Sequence, residues 1–160
     1  MAESKSENTI KNLLTPEGRK KIERRIKYLK EVRRPEIAEI IQRAKELGDL
    51  SENAEYHSAK EEQAQLEGEI VRLTNILRSS EIVQPERKDG RVNIGSKVKL
   101  VMHGREQVFS IVGEEEVDAL NGAISYRSPL GQALVGHKAG DTFSIETPKG
   151  ETRIKILSVE

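Results

Sequence analysis

Residues 51–77 read SENAEYHSAKEEQAQLEGEIVRLTNIL, and the spacing inside this stretch decides the fold. Glu52, Tyr56, Ala59, Gln63, Leu66, Ile70, Leu73 and Leu77 follow one another at steps of 4, 3, 4, 3, 4, 3 and 4. That repeat is the seam of a coiled coil, in which one narrow stripe of a helix faces a partner helix. The end near Leu77 is apolar, and the end near Glu52 is polar and small.

The partner precedes it. Thr15-Pro16 is a helix start, with Thr15 as N-cap and Pro16 at the first helical position. Ile22, Ile26 and Leu29, then Ile37, Ile40, Ala44 and Leu47, keep steps of three and four. The step from Leu29 to Ile37 is eight, and it spans Pro35, which should kink or rephase the helix. Gly48 suits the position just past a helix end. Two long helices joined by so few residues lie antiparallel. With roughly 28–32 residues per arm at about 1.5 Å each, the rod would be about 40–50 Å long. A two-helix hairpin buries one narrow stripe, so its tip should be its least stable part.

Beyond Ser80 the pattern changes. Residues 81–91 are turn-rich and read as a linker. Lys97–Val101, Gln107–Val112, Ala123–Tyr126, Thr142–Glu146 and Thr152–Val159 have strand character, with hairpin turns at His103-Gly104 and Pro148-Lys149-Gly150. A short helix opens at Ser128-Pro129 and stops at Gly136. The fold class is therefore α+β: a flexible tail over 1–13, a helical hairpin over 14–80, a linker over 81–91, and over 92–160 a small antiparallel-sheet domain with one short helix.

Composition agrees. Hydrophobic residues make up 35% of 160, charged residues 34% and aromatics 3%, too polar for one compact core and too patterned for a disordered chain. Net charge is zero, but residues 19–34 sum to +7 and residues 46–69 to −7. Charge runs of this kind are most often solvated helix faces. The absence of cysteine removes disulfides and thiolate chemistry, and suits a cytoplasmic protein. No apolar run reaches membrane-span length, and residues 1–12 lack the apolar core of a signal peptide. A monomer without membrane association is expected.

No self-contained active site is legible. His57, His103 and His137 lack metal-ligand spacing, and neither a phosphate loop nor a nucleophile elbow is present. The basic residues of the first helix lack the run of aromatics that a single-strand platform uses. What stands out is the tip, Gly48-Asp49-Leu50-Ser51-Glu52-Asn53-Ala54-Glu55-Tyr56. Asp49 and Glu52, three apart, would share one side of a helix start. They admit a structural reading, with Asp49 as N-cap and Glu52 at N3 of a capping box. They also admit a chemical one. Mg²⁺ is usually held by one or two carboxylates plus waters and phosphates, so two acids on a thin rod are half of a metal site.

Arg33-Arg34-Pro35-Glu36-Ile37, the tip Gly48 to His57, Glu67-Gly68-Glu69-Ile70, the run Ser128 to Gly136 and Gly140-Asp141 closely resemble the bacterial Gre transcript-cleavage factors. Glu55-Tyr56-His57 favours their GreA branch over the GreB branch. The resemblance implies a coiled coil that enters the secondary channel of bacterial RNA polymerase, and an FKBP-like domain that docks at the channel rim. It implies that Asp49 and Glu52 help hold a Mg²⁺ shared with the polymerase, whose own centre then cleaves the 3′ end of backtracked nascent RNA. It makes Arg33, Arg34 and Arg43 candidates for RNA contact, and Ser128 and Pro129 candidates for polymerase docking. On this reading the chain is not an enzyme on its own.

Three rival readings are discriminable. A channel-binding inhibitor of the same family departs from the Asp-Leu-x-Glu-Asn tip, which this chain keeps. A peptidyl-prolyl isomerase would need an aromatic-walled pocket, for which the C-terminal half offers only Phe109, Tyr126 and Phe143. A coiled coil that dimerises along its seam is opposed by Gln63 and the polar tip.

Overall fold

The computed structural model describes residues 12–84 and 89–160. The chain forms two compact units: Arg19–Ser79, and the residues up to Gly18 together with Ser80–Glu160.

The first unit is the helical hairpin. Helix α1 (Pro16–Tyr28), which enters it, runs through a π-helical turn (Leu29–Arg33) into α2 (Arg34–Glu46), and α3 (Ala54–Ser79) returns. The arms are antiparallel: Arg25 meets Glu69, Arg33 meets Glu62, and Ala44 meets Asn53, one number rising as the other falls. The π turn explains the eight-residue step. Pro35 has no N–H to give to Glu31 and its ring crowds that carbonyl, and a π turn takes in one extra residue. The Arg34 N–H reaches back five residues to Leu29, and both Leu29 and Ile37 stay buried.

The hairpin core is Ile22, Leu29, Ile37, Ile41 and Ala44 from one arm, and Ala59, Leu66, Ile70, Leu73 and Ile76 from the other. The sequence reading needs correction at several positions. Ile41 is buried and Ile40 half-buried, and Ile76 is buried and Leu77 half-buried. Each neighbour lies about 100° around the helix, so the stripe drifts by one position as 3.6-residue turns slip against a 3.5-residue repeat. Leu47 is 73% exposed, because α2 ends at Glu46 and Leu47 belongs to the turn.

The second unit is a five-stranded sheet in the order β5-β4-β3-β7-β6, built from β3 (Lys97–Met102), β4 (Arg105–Val112), β5 (Ala123–Ser125), β6 (Thr142–Thr147) and β7 (Gly150–Val159). It is antiparallel except where β5 joins β4 in parallel. The turn at His103-Gly104 stands where the sequence placed it, and the second turn is Pro148-Lys149, with Gly150 already the first residue of β7. Helix α4 (Pro129–Leu134) covers the sheet, and Leu134 joins Val92, Ile94, Val98, Leu100, Ile111, Ile154 and Ile156 in the core. Alternation along β3, exposed at Lys97 and Lys99 and buried at Val98 and Leu100, is the period-2 signature of a one-sided sheet.

Two short strands were not anticipated. β1 (Leu13–Leu14) pairs in parallel with β2 (Glu81–Ile82). Leu13, read as tail, thus carries a strand, and so does the start of the segment read as a linker. Two-residue strands carry no periodicity, and only the tertiary fold brings them together. Most of the expected tail, and residues 85–88 of the expected linker, lie outside the described residues.

Candidate functional site at the hairpin tip

The tip spans Leu47 to Asn53. Gly48, at φ +112°, turns the chain out of α2 in a conformation that a Cβ would strain. The N-cap of α3 is Asn53: its Oδ1 accepts the Tyr56 N–H at 3.0 Å, and its Nδ2 donates to the Ala44 carbonyl at 2.7 Å. The capping-box reading of the acids is therefore overturned. Asp49 does not cap α3, and Glu52 precedes the helix rather than standing at N3. An Asn followed by Ala-Glu-Tyr is itself a start signal, and it outranks the acidic pair because its short side chain also reaches across to Ala44.

Freed from capping, the two carboxylates differ. Asp49 Oδ1 accepts from the Ser51 hydroxyl at 2.8 Å and from the Ser51 N–H at 3.0 Å. The hydroxyl bond first, and the amide bond second, hold the Asp49 carboxyl below its ordinary range. Glu52 is exposed and has no hydrogen-bond or ion-pair partner among the described residues. Ser51 was not singled out by the sequence reading, although Asp-x-Ser is the pattern of an Asx turn.

The three arginines nominated for RNA contact are all ion-paired. Arg33 bonds Glu36 at 2.6 Å and also reaches Glu62. Arg34 grips Glu67 with two bonds of 2.7 Å. Arg43 pairs with Glu39 on its own helix. Arg33, in the π turn, and Arg34, at the start of α2, thus stitch the outgoing arm to α3, and the +7 and −7 runs are in part complementary faces of one hairpin. Arg43, whose side chain is 68% exposed, is tied to no other element among the described residues.

Ser128 and Pro129 open α4. Ser128 Oγ accepts the Gly131 N–H at 3.0 Å and donates to the Ser125 carbonyl at 2.7 Å, so its hydroxyl is occupied, while Pro129 is exposed. Phe109, Tyr126 and Phe143 pack against the sheet core, and Phe143 also stacks on His137 at 4.1 Å between ring centres. Among the described residues, no three His, Cys, Asp or Glu side chains are grouped to hold a metal, and no helix is long and apolar enough to cross a membrane.

Residues 12–82 match the family described as transcription elongation factor, N-terminal, and residues 86–160 match transcription elongation factor, GreA/GreB, C-terminal. The chain belongs to the GreA/GreB family of transcription elongation factors. A transcription elongation factor GreA from Halalkalibacterium halodurans is 44% identical, with 99% of both chains covered. One from Caldanaerobacter subterraneus subsp. tengcongensis is 45% identical over 92% of this chain and 96% of its own. One from Streptococcus sanguinis is 47% identical over 92% and 94%. The likeness of the tip to the GreA branch agrees with these relatives. Among solved structures, GreA factor homolog 1 (Gfh1) of Thermus thermophilus is 29% identical over 94% of this chain and 99% of its own, with a TM-score of 0.43.

Proposed function

We propose that this GreA-type chain rescues arrested transcription by carrying Asp49 and Glu52 through the secondary channel of bacterial RNA polymerase, where they stimulate the polymerase's cleavage of backtracked RNA. The reading rests on one observation above all. Two carboxylates stand at the exposed turn of a two-helix hairpin in a family of elongation factors, and neither is needed to cap the returning helix.

The residues fit a shared Mg²⁺ and do not fit a resident one. Two exposed carboxylates cannot cage a divalent ion alone, but Mg²⁺ keeps several waters and accepts one or two carboxylates beside ligands from elsewhere. Asp49 and Glu52 would supply those oxygens. Bound there, Mg²⁺ supplies Lewis-acid stabilisation of charge on the phosphate being hydrolysed. Asp49 contributes a carboxylate that Ser51 keeps ionised and aimed. Glu52, with no internal partner, can turn toward the ion or a water. The acidic stretch disfavours phosphate at the tip itself and favours the cation.

RNA contact by Arg33, Arg34 or Arg43 would exchange a carboxylate for a phosphate. Arg43 gives up one bond on its own helix, whereas Arg33 and Arg34 would give up the stitches between the arms. Arg43 is the cheapest of the three to recruit. Pro129, exposed beside an occupied Ser128 hydroxyl, is the surface the pair offers to the channel rim.

The test uses halted, backtracked elongation complexes, with RNA cleavage followed over a range of Mg²⁺ for the wild type, Asp49→Asn and Glu52→Gln. Stimulation should fall by about 10²-fold or more in each variant, while competition for polymerase is unchanged. Undiminished cleavage with either variant would sink the reading.

A further inference from the structure

The hairpin pairs some of its cations and leaves others unmatched. Residues 19–30 carry seven Lys and Arg against one Glu. Arg19 is paired with Glu23, Arg25 with Glu69, and Lys30 lies close enough to Glu67 to help lower its carboxyl. Lys20, Lys21, Arg24 and Lys27 are exposed and meet no carboxylate among the described residues. Arg24 turns its Nε only to the Lys20 carbonyl, at 3.3 Å.

Three of these four form one row. Lys20, Arg24 and Lys27 follow at steps of four and three, the spacing of neighbours on a helix face. With Glu23 they line one shallow groove. Ile22 and Leu29 mark the buried side of the same arm. At about 100° per residue the row lies on the opposite side, facing away from the seam. Like charges at these spacings disfavour a helix. The row is therefore open to counter-charge from outside the hairpin.

Its chemistry selects the partner. Protein interfaces are built on apolar and aromatic anchors and are depleted in Lys, and this row has no apolar member. The exposed aromatic next in sequence, Tyr28, lies under the Arg25 guanidinium at 5.8 Å. A membrane surface would need an apolar face beside the basic one, and the apolar side of this arm is buried in the seam. Cations without apolar anchors or stacking rings suit a phosphate backbone, bound for its charge and not for its bases.

We propose that Lys20, Arg24 and Lys27 form a phosphate track for RNA that backtracking has extruded. The inference rests on the proposed function, and it places the contact far from the tip. At about 1.5 Å per residue, Lys27 stands about 30 Å and Lys20 about 40 Å from the end of α2 at Glu46. Row and tip both belong to the hairpin unit, so this separation is internal to it. At roughly 3.4 Å per nucleotide of a stacked strand, RNA reaches Lys27 after about nine extruded nucleotides. A transcript backtracked by about two nucleotides ends well short of the row. The track therefore serves deeply backtracked complexes, and leaves the chemistry proposed for Asp49 and Glu52 unchanged.

Two measurements on the full chain test it. First, elongation complexes with about two and about fifteen extruded nucleotides are compared. Cleavage is followed against factor concentration for the wild type, the triple variant Lys20→Gln/Arg24→Gln/Lys27→Gln, the charge-keeping Lys20→Arg/Lys27→Arg, and Asp49→Asn as reference. On the long-tailed complex the triple variant should need roughly 5- to 20-fold more factor for half-saturation. Its log–log salt slope should fall by about 2, the counterions released by three phosphate contacts to a single strand. On the short-tailed complex it should match the wild type within about twofold, because no phosphate reaches the row. The Arg variant should match the wild type on both. Helicity should hold in the triple variant, since the substitutions remove repulsion. Wild-type behaviour of the triple variant on the long-tailed complex, or equal losses on both complexes, overturns the proposal.

Second, the chain has no cysteine, so a photo-crosslinker on Glu23→Cys reports what lies against the row. It should mark RNA in the long-tailed complex and not in the short-tailed one. Crosslinks to polymerase alone would make the row a protein contact and overturn the proposal. If wild type and Asp49→Asn cleave alike, the proposed function fails, and the crosslink still decides whether the row meets RNA.

Discussion

The side-chain amide of Asn53 donates to the carbonyl of Ala44 at 2.7 Å, across the turn that joins the two arms. That carbonyl lies in the last turn of α2 and otherwise accepts only the Leu47 N–H at 3.3 Å among the described residues, and the same side chain satisfies an orphan N–H of α3. One residue thus closes both ragged helix ends at the tip. Asn53→Ala should cost about 1–2 kcal/mol of local stability. Hydrogen exchange at the Tyr56 amide should accelerate, with amides around Leu66 unaffected. Asn53→Asp retains the cap but not the donor and should fall between. Equal protection in all three proteins would remove Asn53 from this role.

Ser51 tunes Asp49. Two donors from one residue stabilise the ionised carboxylate. Ser51→Ala removes the stronger contribution, so the Asp49 carboxyl should titrate at higher pH than in the wild type, by carbon-detected NMR. The Mg²⁺ needed for half-maximal cleavage should rise with it. A titration curve that does not move would show that the amide bond suffices.

The Arg34–Glu67 pair makes a pH prediction with a definite sign. The Arg34 bonds lower the Glu67 carboxyl from its ordinary 4.5. Below that ordinary value the unfolded chain binds a proton the folded chain resists, so stability increases with pH through this window. The contribution is fully present above pH 4.5 and is lost as pH falls through the lower folded value. Both side chains are more than 40% exposed, so salt should weaken the effect. Glu67→Gln should flatten the acid limb of the melting-temperature profile, and an acid limb as steep as wild type would assign it to other carboxylates.

The π turn predicts tolerance of a deletion. Removing Val32 while changing Pro35→Ala leaves seven residues from Leu29 to Ile37, the step of an uninterrupted seam. That variant should keep its helicity and melt within about 5 °C of wild type, a shift of order 1 kcal/mol. Deleting Ala38 instead rotates everything beyond it by about 100° and should unfold the hairpin. If both deletions are equally damaging, the π turn does not account for the eight-residue step.

Much of this protein was legible because its signals are local. The seam from Tyr56 to Leu73, the start at Thr15-Pro16, the His103-Gly104 turn and the Ser128 cap each depend on residues a few positions apart. Local backbone geometry enforces these wherever the chain goes. The acidic tip was legible for the same reason, as a short motif at the point where one helical period stops and the next begins.

Tertiary structure alone decided the rest. It chose Asn53 over Asp49 as the cap because only Asn53 could also reach Ala44 in the other arm. It committed Arg33 and Arg34 to Glu62 and Glu67, since which charges meet depends on how two helices are set against each other. It joined Leu13 to Glu81 and Thr15 to Glu116, contacts that no spacing announces. The sequence by itself determined the two helical arms, the longer strands and the acids at the tip. The fold determined which polar groups those elements consume and which they leave for a partner, because a hydrogen bond across 101 residues exists only once the chain between has folded.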